Sequence, residues 1–293
     1  MLEPVPVEAD IIPRGPFSLR LSARGSVVGR SYRDGVFAVL MDVDGRSERG
    51  IAAQRRDGSL RLRAETEDGL ERLRFVLALD DDHSEFLRRF HDDELIGPAT
   101  RHLRGLRPLR TATVAHALLR AVAAQLITMQ EARDIERRVA RVVGVPPTRE
   151  GLGRLAPAEL QRLGLSARKA ASLVRICRSL DLERLRGLDG DAVAARLVRE
   201  RGIGLYSIGV VFIEGLGRYD RGINRDLGLV KLMSLIEGRW VEADETDALL
   251  ARYDEWQGLA SVYLLAGWSR GLIPLKVTPA EMRLNRIRTR YAA

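Results

Sequence analysis

The chain has 293 residues, 45% of them hydrophobic, which is enough for one large domain or two ordinary domains with buried cores. Its net charge of +8 favours a polyanionic partner such as nucleic acid, although only three of the 48 basic residues are lysines and genome composition alone could produce that arginine bias. No stretch of the sequence approaches the roughly 18 consecutive apolar residues that a membrane span needs. The single Cys177 excludes an internal disulfide and a cysteine-bound zinc or iron-sulfur cluster.

The amino-terminal part is predicted to be a small mixed domain of strands and helices. The first stretch, MLEPVPVEADIIPRG, is acidic and broken by prolines, unlike a signal peptide, so a cytoplasmic location is expected. Short stretches of alternating apolar and polar residues follow, and this alternation predicts strands at 17–24, 35–43, 58–65 and 72–79. From residue 80 the period becomes helical, with Asp82 or Ser84 as the helix cap and a solvated acidic trio at 80–82.

The remainder of the chain is predicted to be helical. Apolar residues recur at helical spacing with short glycine, proline or aspartate breaks. Helices are predicted within 112–128, 130–144, 157–164, 167–180, 190–201, 206–216, 226–238, 244–254 and 256–268. The sequence therefore predicts an α+β protein, with a mixed domain at 1–110 and a helical domain at 111–293. The basic tail at 283–293 is interpreted as a solvated terminus, with contact to DNA as the alternative.

Two helices are predicted to meet in a glycine hairpin near 199–209. The first helix stops at Gly202, and the second begins at about Leu205. Glycines allow unusual backbone angles and close approach, and the start of a helix offers unpaired N–H groups, so the turn could hold a phosphate. A simple helix cap and turn is the alternative.

One carboxylate, Asp226, lies 22 residues after Gly204, at the start of the next predicted helix. A carboxylate held next to a sugar can stabilise the positive charge that builds up when a glycosidic bond breaks. Arg218, Arg221, Arg225 and Lys231 are expected to keep Asp226 ionised. The alternative is that Asp226 only caps its helix, while Asp220 is expected to be structural.

The order of several motifs resembles the helix-hairpin-helix DNA glycosylase superfamily, most closely bacterial 3-methyladenine DNA glycosylase II. The motifs are PFSLRLS, LRGLRPLR, QLIT at 125–128, GLSARKAASLVRI at 164–176, GIGLYSIG at 202–209, DLGL at 226–229 and YLLAGW at 263–268. The resemblance covers nearly the whole chain. It implies an all-helical glycosylase domain after the small mixed domain, and a monomer that acts on damaged double-stranded DNA and has no membrane partner.

The resemblance assigns roles to residues. It implies that Asp226 is the catalytic carboxylate and that Leu126 is a wedge, which fills the space left by a flipped base. DNA contacts are expected from Gly202, Gly204, Ser207, Arg201, Gln125 and Arg225. The base pocket is expected to include Tyr206, Asn224, Leu227 and Trp256. The alternatives are ordinary helix packing for Tyr206 and a core position for Leu126.

Departures from the family pattern bear on chemistry and substrate. Tyr206 stands where some members carry a nucleophilic lysine, which implies a monofunctional hydrolase without lyase activity. Val210, Leu227 and Leu259 replace expected aromatic residues, so hypoxanthine is considered beside alkylated purines. No metal or other cofactor is expected, although backbone carbonyls of the hairpin could gather a monovalent cation. The four histidines show no metal spacing, and a non-catalytic DNA-binding protein remains the alternative function.

Overall fold

A computed structural model describes residues 6–23, 25 and 27–281 of the chain; the tail at 283–293 lies outside these residues. Five antiparallel strands form one sheet in the order β1-β5-β4-β3-β2. The strands are β1 (Val7–Ile11), β2 (Arg30–Arg33), β3 (Val36–Val43), β4 (Arg46–Gln54) and β5 (Leu60–Ala64). β3 and β5 confirm two of the predicted strands.

One face of the sheet is apolar. Along β3, Phe37, Val39 and Met41 are buried, and the residues between them are more exposed. This period of two is what a sheet with one covered face requires. The pairing of Ala38 with Ile51 and of Ala52 with Leu62 fixes the register that brings the buried residues of three strands together.

Two predicted strands are helices instead. The stretch 72–79 lies mainly in a helix over Glu67–Val76, whose cap Thr66 accepts a hydrogen bond from the Gly69 amide at 3.0 Å. The stretch 17–24 contains a single helical turn, Leu19–Ser22. The strand prediction was wrong at 72–79 because Leu70, Leu73 and Val76, all buried, follow a spacing of three that outweighs the local alternation.

The helices after residue 110 confirm the predicted helical part of the α+β fold. In chain order, the helices of the described residues are α1 (Leu19–Ser22), α2 (Glu67–Val76), α3 (Ser84–Arg89), α4 (Gly97–His102), α5 (Val114–Ala124), α6 (Met129–Val143), α7 (Arg149–Arg154), α8 (Pro157–Arg162), α9 (Ala167–Ser179), α10 (Gly190–Val198), α11 (Leu205–Val210), α12 (Leu227–Glu237), α13 (Glu245–Ala251) and α14 (Gln257–Trp268). A π-helical segment, Val211–Leu216, continues α11. None of these helices is long and apolar enough to cross a membrane.

The described residues form three hydrophobic cores. The first lies between the sheet and α2. The second joins residues 86–106 to α12, α13 and α14. The third contains α5, α6, α9, α10 and α11, and it holds Cys177, which is buried as expected. The domain boundary at residue 110 stays a prediction, because α3 and α4 pack with the carboxyl-terminal helices.

Buried arginines connect the sheet region to the helices. Arg107, 1% exposed, donates to the carbonyl oxygen of Pro16 at 3.0 Å and also to those of Arg14 and Ala78. Arg110 donates to the Asp81 carboxylate at 2.6 Å. The interpretation of the acidic trio as solvated is therefore wrong for Asp81, whose side chain is only 17% exposed and pairs with Arg110.

Candidate active site

The glycine hairpin joins α10 to α11 as predicted. Gly202 has a φ of +96°, and a Cβ added there would lie 2.6 Å from the Ser172 Oγ, so the fold itself requires glycine at this position. Gly204 is extended, and an added Cβ would meet nothing within 4 Å. The protein therefore has room for a side chain at 204, and the open space lies at the amino-terminal end of α11.

Gln125 fastens the end of α5 to both sides of the hairpin. Its Nε2 donates to the carbonyl oxygen of Gly202 at 3.0 Å and to the Ser207 Oγ at 2.9 Å. Ser207 is only 1% exposed, so its hydroxyl serves this internal bond. The DNA contacts expected from Gln125 and Ser207 stay predictions.

Leu126 is an exposed apolar side chain next to the hairpin. Its relative exposure is 91%, and its φ is +58°, in the left-handed region that residues with a Cβ rarely adopt. A core position for Leu126 is therefore excluded. The side chain is available for insertion into a duplex, as the wedge prediction requires.

Asp226 is the N-cap of α12, and its Oδ1 accepts a hydrogen bond from the Leu229 amide at 3.0 Å. Burial raises the pKa of Asp226 above its ordinary value of 3.8, while the Leu229 and Gly228 amides and the Lys231 ammonium act to lower it. A carboxylate in this position is poorly solvated, so its field on a nearby cation is weakly screened.

The expectation that four basic residues keep Asp226 ionised is wrong for three of them, because these have other partners. Arg225 pairs with Asp247, Arg221 pairs with Asp191, and Arg218 donates to the carbonyl oxygen of Leu188. Of these four basic residues, Lys231 is the one that acts to lower the pKa of Asp226. Among the residues expected to contact DNA, Arg225 is half exposed despite its pair, and Arg201 is exposed.

Tyr206 lies within electrostatic reach of Asp226. Burial raises the pKa of the Tyr206 hydroxyl, and the charge of Asp226 raises it further. Helix α11 can approach the loop before α12 because residue 209 is glycine; a Cβ there would lie 2.0 Å from the carbonyl oxygen of Gly222. The hairpin helix belongs to the third core and α12 to the second, so Asp226 lies where two helical cores meet.

The other residues predicted for the base pocket differ in their surroundings. Asn224 donates from its side-chain nitrogen to Asp247 at 3.1 Å. Leu227 is 41% exposed. Trp256 packs against Phe86 with ring centroids 5.9 Å apart, and its buried indole nitrogen has no hydrogen-bond partner among the described residues.

Sequence reasoning missed a charged group beside Tyr206. Arg120 Nε donates to Glu214 at 2.6 Å, and both charges influence the pKa of Tyr206. Arg120 also pairs with Glu136, which bonds the buried His116 at 2.7 Å. These partners are far apart in sequence, so the spacing carries no signal for them.

The surface carries other depressions away from Asp226. One, of about 390 Å³, is lined by α8 and α9, and another, of about 530 Å³, by α10 and the residues before it. No group of three or more histidine, cysteine or acidic side chains that could hold a metal was found among residues 6–23, 25 and 27–281.

Solved structures identify the fold. A 3-methyladenine DNA glycosylase from Archaeoglobus fulgidus matches with a TM-score of 0.79 and 20% identity over 89% of this chain and 98% of that one. The chain has the fold of the helix-hairpin-helix DNA glycosylases. MBOgg1 in complex with a low-affinity DNA ligand matches this glycosylase fold with a TM-score of 0.72 and 16% identity, over 90% of this chain and 96% of that one.

A third match is the Clostridium acetobutylicum 8-oxoguanine glycosylase/lyase in complex with double-stranded DNA containing cytosine opposite 8-oxoG. Its TM-score is 0.71 and its identity 16%, over 88% of this chain and 93% of that one. No protein-family model matches the chain. No curated protein matches it either. The glycosylase fold is thus shared without close sequence similarity.

Proposed function

We propose that the chain is a monofunctional DNA glycosylase, which hydrolyses the N-glycosidic bond of a damaged purine flipped out of double-stranded DNA. The observation that carries the proposal is the close packing of α11, at Gly209, on the Gly222 backbone, which holds the loop to Asp226 beside a hairpin whose Gly204 faces open space. The shared glycosylase fold supports it. Within this superfamily, bacterial 3-methyladenine DNA glycosylase II is the proposed nearest relative.

The Asp226 carboxylate would act on the sugar. As the base departs, the sugar becomes an oxocarbenium-like cation in the transition state. A fixed negative charge stabilises this cation more than it stabilises the uncharged sugar of the substrate. Burial of Asp226 strengthens that interaction, because less water screens the charge. The same carboxylate would orient the attacking water. The reaction would leave a free base and an abasic site.

Hydrolysis without strand cleavage is proposed because residue 206 is a tyrosine and not a lysine. A lyase step requires an amine that forms a Schiff base with the sugar, and the tyrosine hydroxyl cannot replace it. Burial and Asp226 raise the pKa of this hydroxyl, so Tyr206 stays neutral. Its ring would stack on the flipped base. No metal, iron-sulfur cluster or organic cofactor has a role in this reaction, although the hairpin carbonyls could gather a monovalent cation.

The proposed substrates are alkylated purines and hypoxanthine. Val210 and Leu259 are buried aliphatic residues at positions where aromatic rings were expected, which weakens the attraction for a cationic methylated base. A neutral damaged purine is therefore proposed beside the alkylated ones, with Leu227, Trp256 and Asn224 near it. The protein would act as a cytoplasmic monomer.

A non-catalytic damage-binding protein is the second candidate. The observation that favours it is the hydrogen bond from the Leu229 amide to Asp226, because a capping aspartate already has a structural role. The hairpin and Leu126 would serve recognition equally well without base release.

Duplexes that each carry one modified base separate the two candidates. We expect the wild-type protein to convert at least one of them to an abasic duplex. The Asp226→Asn variant should lose this activity by about 100-fold or more while binding the duplex almost as well, because only the transition state gains from the charge. Asp220→Asn, which changes an acid of the same loop, is the matched control and should keep the activity. Tight binding without base release from any lesion would favour the second candidate.

A further inference from the structure

The turn that carries Leu126 adopts a conformation that is costly by itself. A left-handed backbone is unfavourable for a residue with a Cβ, and the exposed leucine gains nothing from burial. Other contacts must therefore hold the turn, and they determine whether Leu126 is in place before DNA binds.

Lys169 makes such contacts from a neighbouring helix. It lies in the first turn of α9, and its Nζ donates to the carbonyl oxygens of Gln125 at 2.6 Å and Ala123 at 3.2 Å. These carbonyls close the carboxyl-terminal end of α5, where unpaired acceptors and the negative end of the helix dipole favour a cation. The Lys169 ammonium thus binds the backbone of the residue directly before Leu126.

Lysine is rare in this chain, and its chemistry fits the contacts of residue 169. Only three of the 48 basic residues are lysines, and one of them is here. An ammonium is compact and has three rotatable donors, so it can bond two neighbouring carbonyls at the end of a short reach. The planar guanidinium of arginine is larger and matches carboxylate or phosphate oxygens better. Lys169 fits helix-end carbonyls rather than a DNA phosphate.

The turn is held from two further sides. The Gln125 side chain binds the hairpin at the Gly202 carbonyl oxygen. After the turn, the Thr128 Oγ1 donates to Glu131 at 2.8 Å in the capping box that starts α6. Helix α9 also contacts the hairpin, through Ser172 beside Gly202, but Lys169 is its residue that bonds the backbone next to Leu126.

We propose that Lys169 is a positioning residue that keeps the Leu126 turn in the left-handed conformation, so that the wedge is formed before a base is flipped. The inference rests on the proposed function for its chemical consequence, but base flipping itself can be measured without base release. Loss of Lys169 leaves the Gln125 carbonyl unpaired, and the turn relaxes. Phosphate contact at the hairpin is then kept while flipping is lost.

The test uses duplexes with 2-aminopurine beside the damaged base, since its fluorescence rises when stacking is lost. We expect Lys169→Met to reduce the rise produced by saturating wild-type protein by about tenfold, as Leu126→Ala does, because flipping needs the inserted side chain. The affinity for undamaged duplex should change less than about threefold, because the hairpin is intact. Lys276→Met is the matched control, an exposed lysine remote from the turn, and should behave as wild type.

A double variant distinguishes positioning from general loss of structure. If Lys169 acts through Leu126, Lys169→Met combined with Leu126→Ala should flip no less than Leu126→Ala alone. Base release should also recover in Lys169→Met when the lesion lies in an unpaired bulge, where no wedge is needed. Lys169→Gln provides the same comparison should the methionine variant not fold.

Three results would overturn the proposal: a wild-type fluorescence rise in Lys169→Met, additive losses in the double variant, or no rise with the wild-type protein. A wild-type protein that flips the base but never releases it would contradict the proposed hydrolysis alone. The fluorescence of Lys169→Met would still decide the role of Lys169.

Discussion

At the scale of single residues, Asp226 combines two tasks that make different demands. As the cap of α12 it needs only an acceptor for the Leu229 amide, which asparagine also provides. As a stabiliser of a cationic sugar it needs a negative charge. Burial makes that charge costly in the free protein and strong towards a bound cation. The two tasks can therefore be separated by substitution.

The pH dependence of base release should report Asp226. Because burial raises its folded-state pKa above 3.8, the carboxylate takes up its proton at a higher pH than an exposed aspartate does. The ionised form is the active one, so the single-turnover rate should fall as the pH is lowered through this raised pKa. A rate that follows an ordinary aspartate pKa would contradict the role of burial.

The ionised form of Asp226, which activity requires, should lower the stability of the folded protein. A raised pKa means that the ionised group destabilises the folded state above that pKa, and that this cost disappears below the unfolded-state pKa of about 3.9. Asp226→Asn keeps the cap and removes the charge, so at neutral pH it should unfold at the same or higher urea concentration than wild type. Asp226→Ala loses the cap and should cost about 1 kcal/mol. Equal destabilisation by both variants would show that the charge is structurally required.

At the scale of elements, the hairpin contains one glycine that the fold needs and one that it does not. Gly202 has a positive φ and packs against Ser172, while a Cβ at Gly204 would meet open space. An approaching phosphate would occupy that space, so the reason for glycine at 204 lies with the ligand.

Gly204→Ala should therefore weaken DNA binding with little loss of stability. The free energy of unfolding should fall by less than about 1 kcal/mol, because the only change within the protein is that alanine is a poorer N-cap than glycine. The dissociation constant for duplex DNA should rise about tenfold, because the added methyl group blocks backbone contact. Titration of fluorescent duplex measures the affinity, and urea denaturation measures the stability.

Gly187→Ala is the matched control for this experiment. Gly187 also has open space around an added Cβ, but it lies before α10, outside the hairpin. It should leave DNA affinity unchanged. Equal losses of affinity in the two variants, or none in either, would contradict phosphate contact at Gly204.

Elements were predictable where one periodicity dominated. Except for α7, which was not predicted, the helices after residue 110 followed from their apolar spacing, and the glycines at 202 and 204 indicated the hairpin between α10 and α11. Helix α2 was missed because its stretch also alternates locally, and only its partner surface decides between the two patterns. The sheet above α2 buries Leu70 and Leu73 together, which strand geometry could not do.

At the scale of the whole molecule, the sheet region and the helices are joined through buried charges. Asp81 receives hydrogen bonds from Arg110 and from the hydroxyl of Tyr219, which precedes the loop to Asp226. Arg110 is 6% exposed in its side chain, so both partners depend on each other for solvation. The region before residue 82 thereby supports the loop that carries the site.

Removal of Arg110 should destabilise the whole protein. Arg110→Ala leaves the largely shielded Asp81 without its cation, which costs up to about 3–5 kcal/mol in fully buried pairs. Arg89→Ala breaks the exposed pair with Asp254 and should cost less than about 1 kcal/mol. Urea denaturation of both variants tests the difference, and equal effects would show that Arg110 does not join the two regions.

The surroundings of the site could not be predicted from sequence because they depend on long-range pairs. Arg120 and Glu214 are 94 residues apart, and Arg225 forms its ion pair with Asp247. The local sequence around Asp226 is rich in arginine, which suggested an ionised carboxylate. With those arginines paired elsewhere, burial is the largest influence on Asp226 and raises its pKa. The positions of Gly202 in the hairpin and of Asp226 at the start of α12 were predicted correctly, whereas Leu126 lies in a turn after α5 and not within the helix predicted at 112–128.

The central claim is that Asp226 stabilises positive charge on the sugar of a flipped nucleotide. Two duplexes test it directly, one with a cationic pyrrolidine in place of the damaged nucleoside and one with a neutral tetrahydrofuran abasic site. The wild-type protein should bind the cationic duplex at least about tenfold more tightly, and Asp226→Asn should lose this preference, because the analogue resembles the transition state. An equal preference in wild type and variant, or none in the wild type, would contradict the claim.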